Sequence, residues 1–372
     1  MDVFQRFREV IADPGGYARQ WKVDHDGEVI GSFCSYAPEE ILLAAGVLGF
    51  RIFGSGNEIS KADAHLQAYS CSLVRGALEE KLEGGLDFLD GVVFPHTCDS
   101  IQRLSDIWRM NITEGFHLDL VMPVKLNSDS ARAYMVDVIK RFKSDLEKAL
   151  GRDIPEDKLK EAIDTCNRIR EVMGRIYGFR QQKPGVIKGS DMHAMVKAGM
   201  MMDRNDYLAH VETVEKELEN AEAGVAEGKK RLVLSGGLCN MPDIYDVIEG
   251  AGAVVVADDL CTGRRFFEGA VAPDTDPLEA IADRYSGRTV CPAKHAGNRS
   301  RGNYLLSLAR ESKADGVIYI FLKFCDPHGF DYPYIREMLG KDDIACMLYE
   351  MEDQQAGDGQ FATRCEAFVE ML

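Results

Sequence analysis

The sequence predicts an α/β protein built from two halves, each a parallel sheet covered by helices, and three observations carry that prediction. Short apolar runs alternate with stretches of helical spacing, the pattern of strands joined by crossover helices. Val317–Leu322 is a continuous β-branched and aromatic run, which reads as a strand buried on both faces. A near copy, Asp90–Asp99 (DGVVFPHTCD), lies in the first third of the chain. Between the two sit long, charged, amphipathic stretches with no strand pattern. The expected organisation is an N-terminal α/β domain over 1–150, a helical connection over 151–230 and a C-terminal α/β domain over 231–372.

The N-terminal segment MDVFQRFREVIADPGG reads as an amphipathic charged helix without the apolar core of a signal peptide. Val29–Tyr36 is a strand ending near Cys34, and Pro38 opens a helix to Ala45, because proline fits the first helical turn. Phe50–Phe53 is a second strand. The GSGN that follows lacks the third glycine of a dinucleotide fingerprint and is a turn. From Asp63 to Glu83 the apolar residues Leu66, Tyr69, Leu73, Ala77 and Leu78 keep helical spacing, with Cys71 inside the helix. A strand then runs into Cys98, a helix covers Ser100–Met110, and His117–Val124 closes the half as another strand. A thiolate just before that helix would gain from the N-terminal dipole.

Ser128–Leu150, Pro155–Phe179 and Asn205–Lys229 form the helical connection. Met192–Met202 holds five methionines and reads as a core helix, with an adaptable apolar surface as the other reading. The second half begins with the strand Arg231–Gly237, followed by Cys239 and a helix over Pro242–Glu249. Ala253–Asp258 leads through Asp259 to Cys261, and the paired acids read as solvated loop residues. Thr289–Pro292, around Cys291, is a weaker strand end. After the strand that ends at Cys325, a helix from Asp331 and Pro333 to Gly340, a strand at Ile344–Tyr349 and a helix at Phe361–Leu372 complete the chain.

With 372 residues, each half is long enough to bury its own core. A net charge of −17 argues against nucleic acid or an anionic membrane surface as partner. No run of 18 apolar residues occurs, so no membrane helix is expected and the chain reads as cytoplasmic. In that compartment ten cysteines point to metal or redox chemistry rather than disulfides. A free cysteine is otherwise a small core hydrophobe. Core filling alone would not place five of them, Cys34, Cys98, Cys239, Cys261 and Cys325, at strand ends, where open α/β sheets bind ligands. No CxxC occurs, which disfavours zinc ribbons and local ferredoxin clusters. Thiolates gathered from distant strand ends suit an iron–sulfur cluster between the halves. His96 and His328 each lie within three residues of such a cysteine, as donors to sulfur or to substrate. There is no GxxxxGK[ST], so the chain is not expected to hydrolyse ATP itself.

The stretches Phe94–Arg103 (FPHTCDSIQR), Phe33–Gly46 (FCSYAPEEILLAAG), Asp258–Gly263 (DDLCTG) and Phe324–His328 (FCDPH) resemble the 2-hydroxyacyl-CoA dehydratase and benzoyl-CoA reductase family, in the same order along nearly the whole chain. The resemblance implies two Rossmann-like domains with a cubane [4Fe-4S] cluster between them, held by Cys71, Cys98 and Cys325. It also implies a separate ATP-hydrolysing activator protein that supplies low-potential electrons, and a dimer of like or paralogous subunits. One homodimeric branch of that family carries an [8Fe-9S] double cubane with six cysteine ligands and reduces small molecules. Cys34, Cys239 and Cys261 would complete that count, with Cys291 able to replace one of them. Two other readings stand beside it. One is the single-cubane subunit of an acyl-CoA dehydratase or benzoyl-CoA reductase; the other is a non-catalytic electron-relay or assembly protein.

Overall fold

The computed structural model describes residues 2–54, 56, 58–222, 224, 228–237, 240, 243–272, 275–288, 291–297, 299–351 and 358–372. Two helices, α1 (Gln5–Ala12) and α2 (Pro14–His25), precede the first sheet. The first half then runs β1 (Val29–Ser32), α3 (Glu39–Ala44), β2 (Leu48–Arg51), α4 (Ser72–Leu82), β3 (Gly91–Pro95), α5 (Asp99–Asn111) and β4 (Phe116–Leu120). Four helices follow: α6 (Asp129–Leu150), α7 (Glu156–Gln182), α8 (Gly189–Ala198) and α9 (Arg204–Asn220). The second half contains β5 (Lys230–Gly236), α10 (Asp243–Gly250), β6 (Ala253–Asp259), α11 (Arg264–Phe267), α12 (Pro277–Gly287), α13 (Ser300–Glu311), β7 (Gly316–Leu322), α14 (Asp326–Lys341), β8 (Ala345–Met351) and α15 (Asp358–Met371).

Both sheets are parallel and repeat one strand order, β2-β1-β3-β4 and β6-β5-β7-β8. The order reverses between β1 and β3 and again between β5 and β7, so each sheet opens a crevice at the carboxyl ends of those strands. β3, β6 and β7 are buried along their whole length, as continuous apolar runs require. One core continues from the first sheet through α8 to the second, with Phe94, Met195 and Ile318 in the same packed cluster. The methionines of α8 and the turn after it are core filling.

Several expected boundaries shift for local reasons. The second N-terminal helix, α2, starts where Asp13 accepts from the Gly16 N–H and Pro14 takes N1. Residues 62–64 form a short 3-10 turn rather than the start of a long helix, so α4 begins only after Cys71. α14 begins at Asp326, five residues before the expected start, and carries Pro333 inside it. α12 and α13 were not expected at all, and α9 stops at Asn220. Cys239, Pro242, Thr289 and Val290 lie outside the described residues, as do Ser55 and Asn57 of the expected GSGN turn.

The end of β5 is tightly fitted. Gly236 has φ of 135°, and a Cβ there would stand 1.8 Å from the Ile320 carbonyl oxygen of β7. Gly236→Ala is therefore expected to give no soluble folded protein, checked by expression and circular dichroism beside Gly250→Ala, where a Cβ meets nothing within 4 Å.

Candidate metal centre

Cys71, Cys98 and Cys325 occupy one kind of position three times over: each is the N-cap of a helix, of α4, α5 and α14 respectively. Each sulfur faces first-turn N–H groups of its own helix, those of Leu73 and Val74, of Ile101 and of His328. No short capping bond from the side chain closes any of the three, which leaves the sulfurs facing helix N-termini without tying them up. The turn that delivers Cys325 is a bent one, because Phe324 sits at φ of 65°, a conformation non-glycine residues seldom adopt. Burial pushes the Cys98 thiol up to about 12 and raises Cys71 and Cys325 as well. Cys71 acts on both of the others by charge, and Cys98 acts on Cys325, so the three share one pocket.

A second group forms around Cys34, after β1, and Cys261, after β6. Cys261 and Cys291 are hydrogen-bonded to each other. That bond holds Cys261 well below the ordinary thiol range against the opposing effect of burial, and Arg265 and His328 act in the same direction. The Arg265 Nη1 stands 3.5 Å from the Cys261 sulfur. Arg51 at the end of β2 is hydrogen-bonded to Cys34 and faces Cys261 and Cys291. Arg288 lies over the Tyr36 ring at 4.2 Å and donates to the Ser35 carbonyl at 2.9 Å. Lys294 donates to the Met122 carbonyl at 3.2 Å and faces Cys34 and Cys291, with Cys98 a weaker third.

His328 joins the two groups. Its Nδ1 is 3.2 Å from the Cys325 sulfur, its ring also acts on Cys261, and its Nε2 is buried without a hydrogen-bond partner among the described residues. His96 points elsewhere: its Nε2 is 2.8 Å from the Asp119 carboxylate, in a network with His117 and Ser105. Asp258 and Asp259 are not solvated loop acids. Both are buried; Asp258 pairs with Arg180 at 3.0 Å, and Asp259 with Arg265 at 2.5 Å and Arg301 at 3.2 Å. Cys166 and Cys365 are buried in helices, and Cys346 sits within β8. Sequence reasoning missed the cations altogether. Arg51 and Arg288 carried one signal, a long basic side chain next to an apolar strand or helix end, but that pattern is too common to act on.

A cavity of about 420 Å³ opens beside the first group, lined by Thr97, Cys98, Asp99, Lys294, Arg301 and Tyr334 among others. Cys34 lines a much smaller one, about 40 Å³. Among the described residues, no three His, Cys, Asp or Glu side chains converge on a point that would hold a single metal ion. A cluster needs a different arrangement, with each thiolate on a separate iron. The fit to such a group rests on charge. Arg51, Arg288 and Lys294 are buried and, among the described residues, none forms an ion pair with a carboxylate, while the Nε atoms of Arg51 and Arg288 have no hydrogen-bond partner. Buried, uncompensated cations of this kind are costly unless an anion sits beside them. Thiolates carrying a cluster would supply that charge, since a coordinating thiol is deprotonated outright.

The chain matches the family described as 2-hydroxyglutaryl-CoA dehydratase, D-component, over residues 34–372. It is 27% identical to the (R)-phenyllactyl-CoA dehydratase beta subunit of Clostridium sporogenes, covering 99% of this chain and 98% of that one. It is 28% identical to a benzoyl-CoA reductase subunit of Thauera aromatica, over 90% and 88% of the two chains. To the (R)-2-hydroxyglutaryl-CoA dehydratase beta subunit of Acidaminococcus fermentans it is 26% identical, over 100% and 99%.

Proposed function

Because the chain belongs to the 2-hydroxyglutaryl-CoA dehydratase D-component family, we propose that it is an iron–sulfur reductase of that family whose six cysteine ligands hold a double-cubane cluster. It is an enzyme of the dehydratase family, whose members named above are dehydratases and a reductase. Cys71, Cys98 and Cys325 would hold one half. The other would take Cys34 and Cys261 with Cys291, which stands beside Cys261, in the place expected for Cys239, which lies outside the described residues. One observation carries this reading: two thiol groups meet across His328, and the second is ringed by buried cations that, among the described residues, have no carboxylate partner.

When bound, such a group supplies low-potential one-electron transfer. The chain's own residues set the conditions. Three helix N-termini orient and stabilise the first set of thiolates. His328 Nδ1, 3.2 Å from the Cys325 sulfur, is placed to donate a proton toward it. The cavity beside Cys98 admits a small substrate, and the Phe330 and Tyr334 rings at its mouth are exposed. His96, held by Asp119, is proposed as a proton donor at the carboxyl edge of the first sheet. Electrons would come from a separate ATP-hydrolysing activator, consistent with the lack of a P-loop sequence in this chain. The proposed assembly is a homodimer or a pair with a paralogous subunit, since the relatives are named as subunits.

The second reading is a single-cubane subunit acting on acyl-CoA thioesters, favoured by the names of the same relatives. Iron and sulfide analysis of anaerobically purified protein separates the two, with about eight iron per chain expected for the double cubane and about four for the single. Cys291→Ser is expected to lose iron and Cys239→Ser to keep it. The reverse result would exchange the two in the ligand set.

A further inference from the structure

The two thiol groups differ in the side-chain charges that stand around them. Beside Cys34, Cys261 and Cys291 lie Arg51 and Arg288, 9% and 6% exposed, and Lys294 stands between this group and Cys98. Arg265 adds no net charge, because Asp259 pairs with it. Around Cys71 and Cys98 the side-chain charge is of the other sign: Asp99, the first residue of α5, acts on both sulfurs as an anion. Lys294 reaches Cys98 from the side of the second group, more weakly than it reaches Cys34 and Cys291. The surroundings differ in access as well. Cys98 lines the 420 Å³ cavity, and Cys34 lines the 40 Å³ one.

We propose that Arg51 and Arg288, with Lys294, make the Cys34–Cys261–Cys291 side the half on which the first electron rests. The inference depends on the two-group reading above. Uptake of one electron adds one negative charge, and a buried cation a few ångströms away stabilises that charge far more than water-exposed cations would. Among the levers on cluster potentials are net charge, hydrogen bonds to sulfur and solvent exposure, and here the cations decide which half is lower in energy when reduced. A second electron from the same class of low-potential one-electron donor would then be taken up by the half that Cys71, Cys98 and Cys325 would hold. That half lies beside Asp99 and the substrate cavity and is the stronger reductant of the two.

Potentials measured on anaerobically purified full-length protein by titration with electron paramagnetic resonance test this, with iron counted in every sample. Arg51→Met and Arg288→Met should each keep about eight iron. Each should lower the first potential by about 59 mV, a tenfold fall in the reduced-to-oxidised ratio at fixed poise, and move the second less. Arg51→Lys should restore the first potential. Asp99→Asn should raise the second. With iron retained, an unmoved first potential in both methionine variants would overturn the inference, and so would equal shifts of both potentials. If one methionine variant does not fold, the other carries the same comparison. About four iron per chain, undiminished in Cys34→Ser, would instead remove the two-group reading and the inference with it.

Discussion

Cys98→Ser and Cys325→Ser are each expected to purify with roughly half of the wild-type iron or less, whereas Cys166→Ser should keep all of it. The contrast follows from position. Cys98 and Cys325 are N-caps at the carboxyl ends of β3 and β7, facing each other and Cys71 across one pocket. Cys166 is buried within α7, with the Glu39 and Glu40 carboxylates and the Arg170 guanidinium as its charged neighbours. Serine keeps the size of the side chain but replaces a soft thiolate by a hydroxyl that iron–sulfur clusters do not favour. Iron and acid-labile sulfide, together with the visible absorption of the anaerobic protein, give the readout. Full iron in both of the first two variants would remove the metal reading altogether.

The second large effect is on stability. Arg170→Met is expected to destabilise the protein by about 3 kcal/mol, because it removes the nearest partner of the buried Glu40 carboxylate and one of two partners of the half-buried Glu39. Glu40 is fully buried, and the Arg170 Nη2 donates to it at 2.5 Å and to Glu39 at 2.6 Å. Arg204 pairs with Glu39 at 3.0 Å and Arg284 with Glu40 at 3.6 Å. Against the opposing effect of burial, Arg204 and Arg170 hold Glu39 down to about 2. This network ties α3 to α7, α9 and α12, and Arg288 is the C-cap of α12. Loosening it should therefore also lower iron retention. Thermal melts of Arg170→Met and of Arg132→Met give the comparison. The Arg132–Asp283 pair is exposed, so its loss should leave the melting temperature unchanged within error.

Much of the placement of the thiols was legible because it is local. A strand of continuous apolar residues ends where Pro95 or Phe324 breaks it, and the cysteine one to three residues on caps the next helix. That pattern needs no knowledge of the rest of the chain, and it gave Cys98 and Cys325 directly. Cys71 was in hand only through a family resemblance; its residues read as mid-helix, because Leu66 and Tyr69 keep helical spacing although the chain turns through a 3-10 segment there. Asp258 and Asp259 read as solvated for a similar reason. Adjacent acids at a strand end are commonly hydrated, and nothing nearby in sequence shows that Arg180, far upstream, reaches Asp258.

The sequence alone determined the alternation of strands and helices, the absence of a local metal motif and the strand-end placement of Cys34, Cys98, Cys261 and Cys325. Only the tertiary structure decided which sulfurs meet. Cys261 and Cys291 are 30 positions apart and touch because β6 and the segment after α12 return to the same crevice. Arg51, Arg288 and Lys294 come from β2, the end of α12 and the loop beyond it, and gather around Cys34 from three directions. Apolar periodicity is set by each element's own burial, so it can be read one segment at a time. A buried charge is tolerable only through partners brought by other segments, so its role exists only once the crossovers have closed.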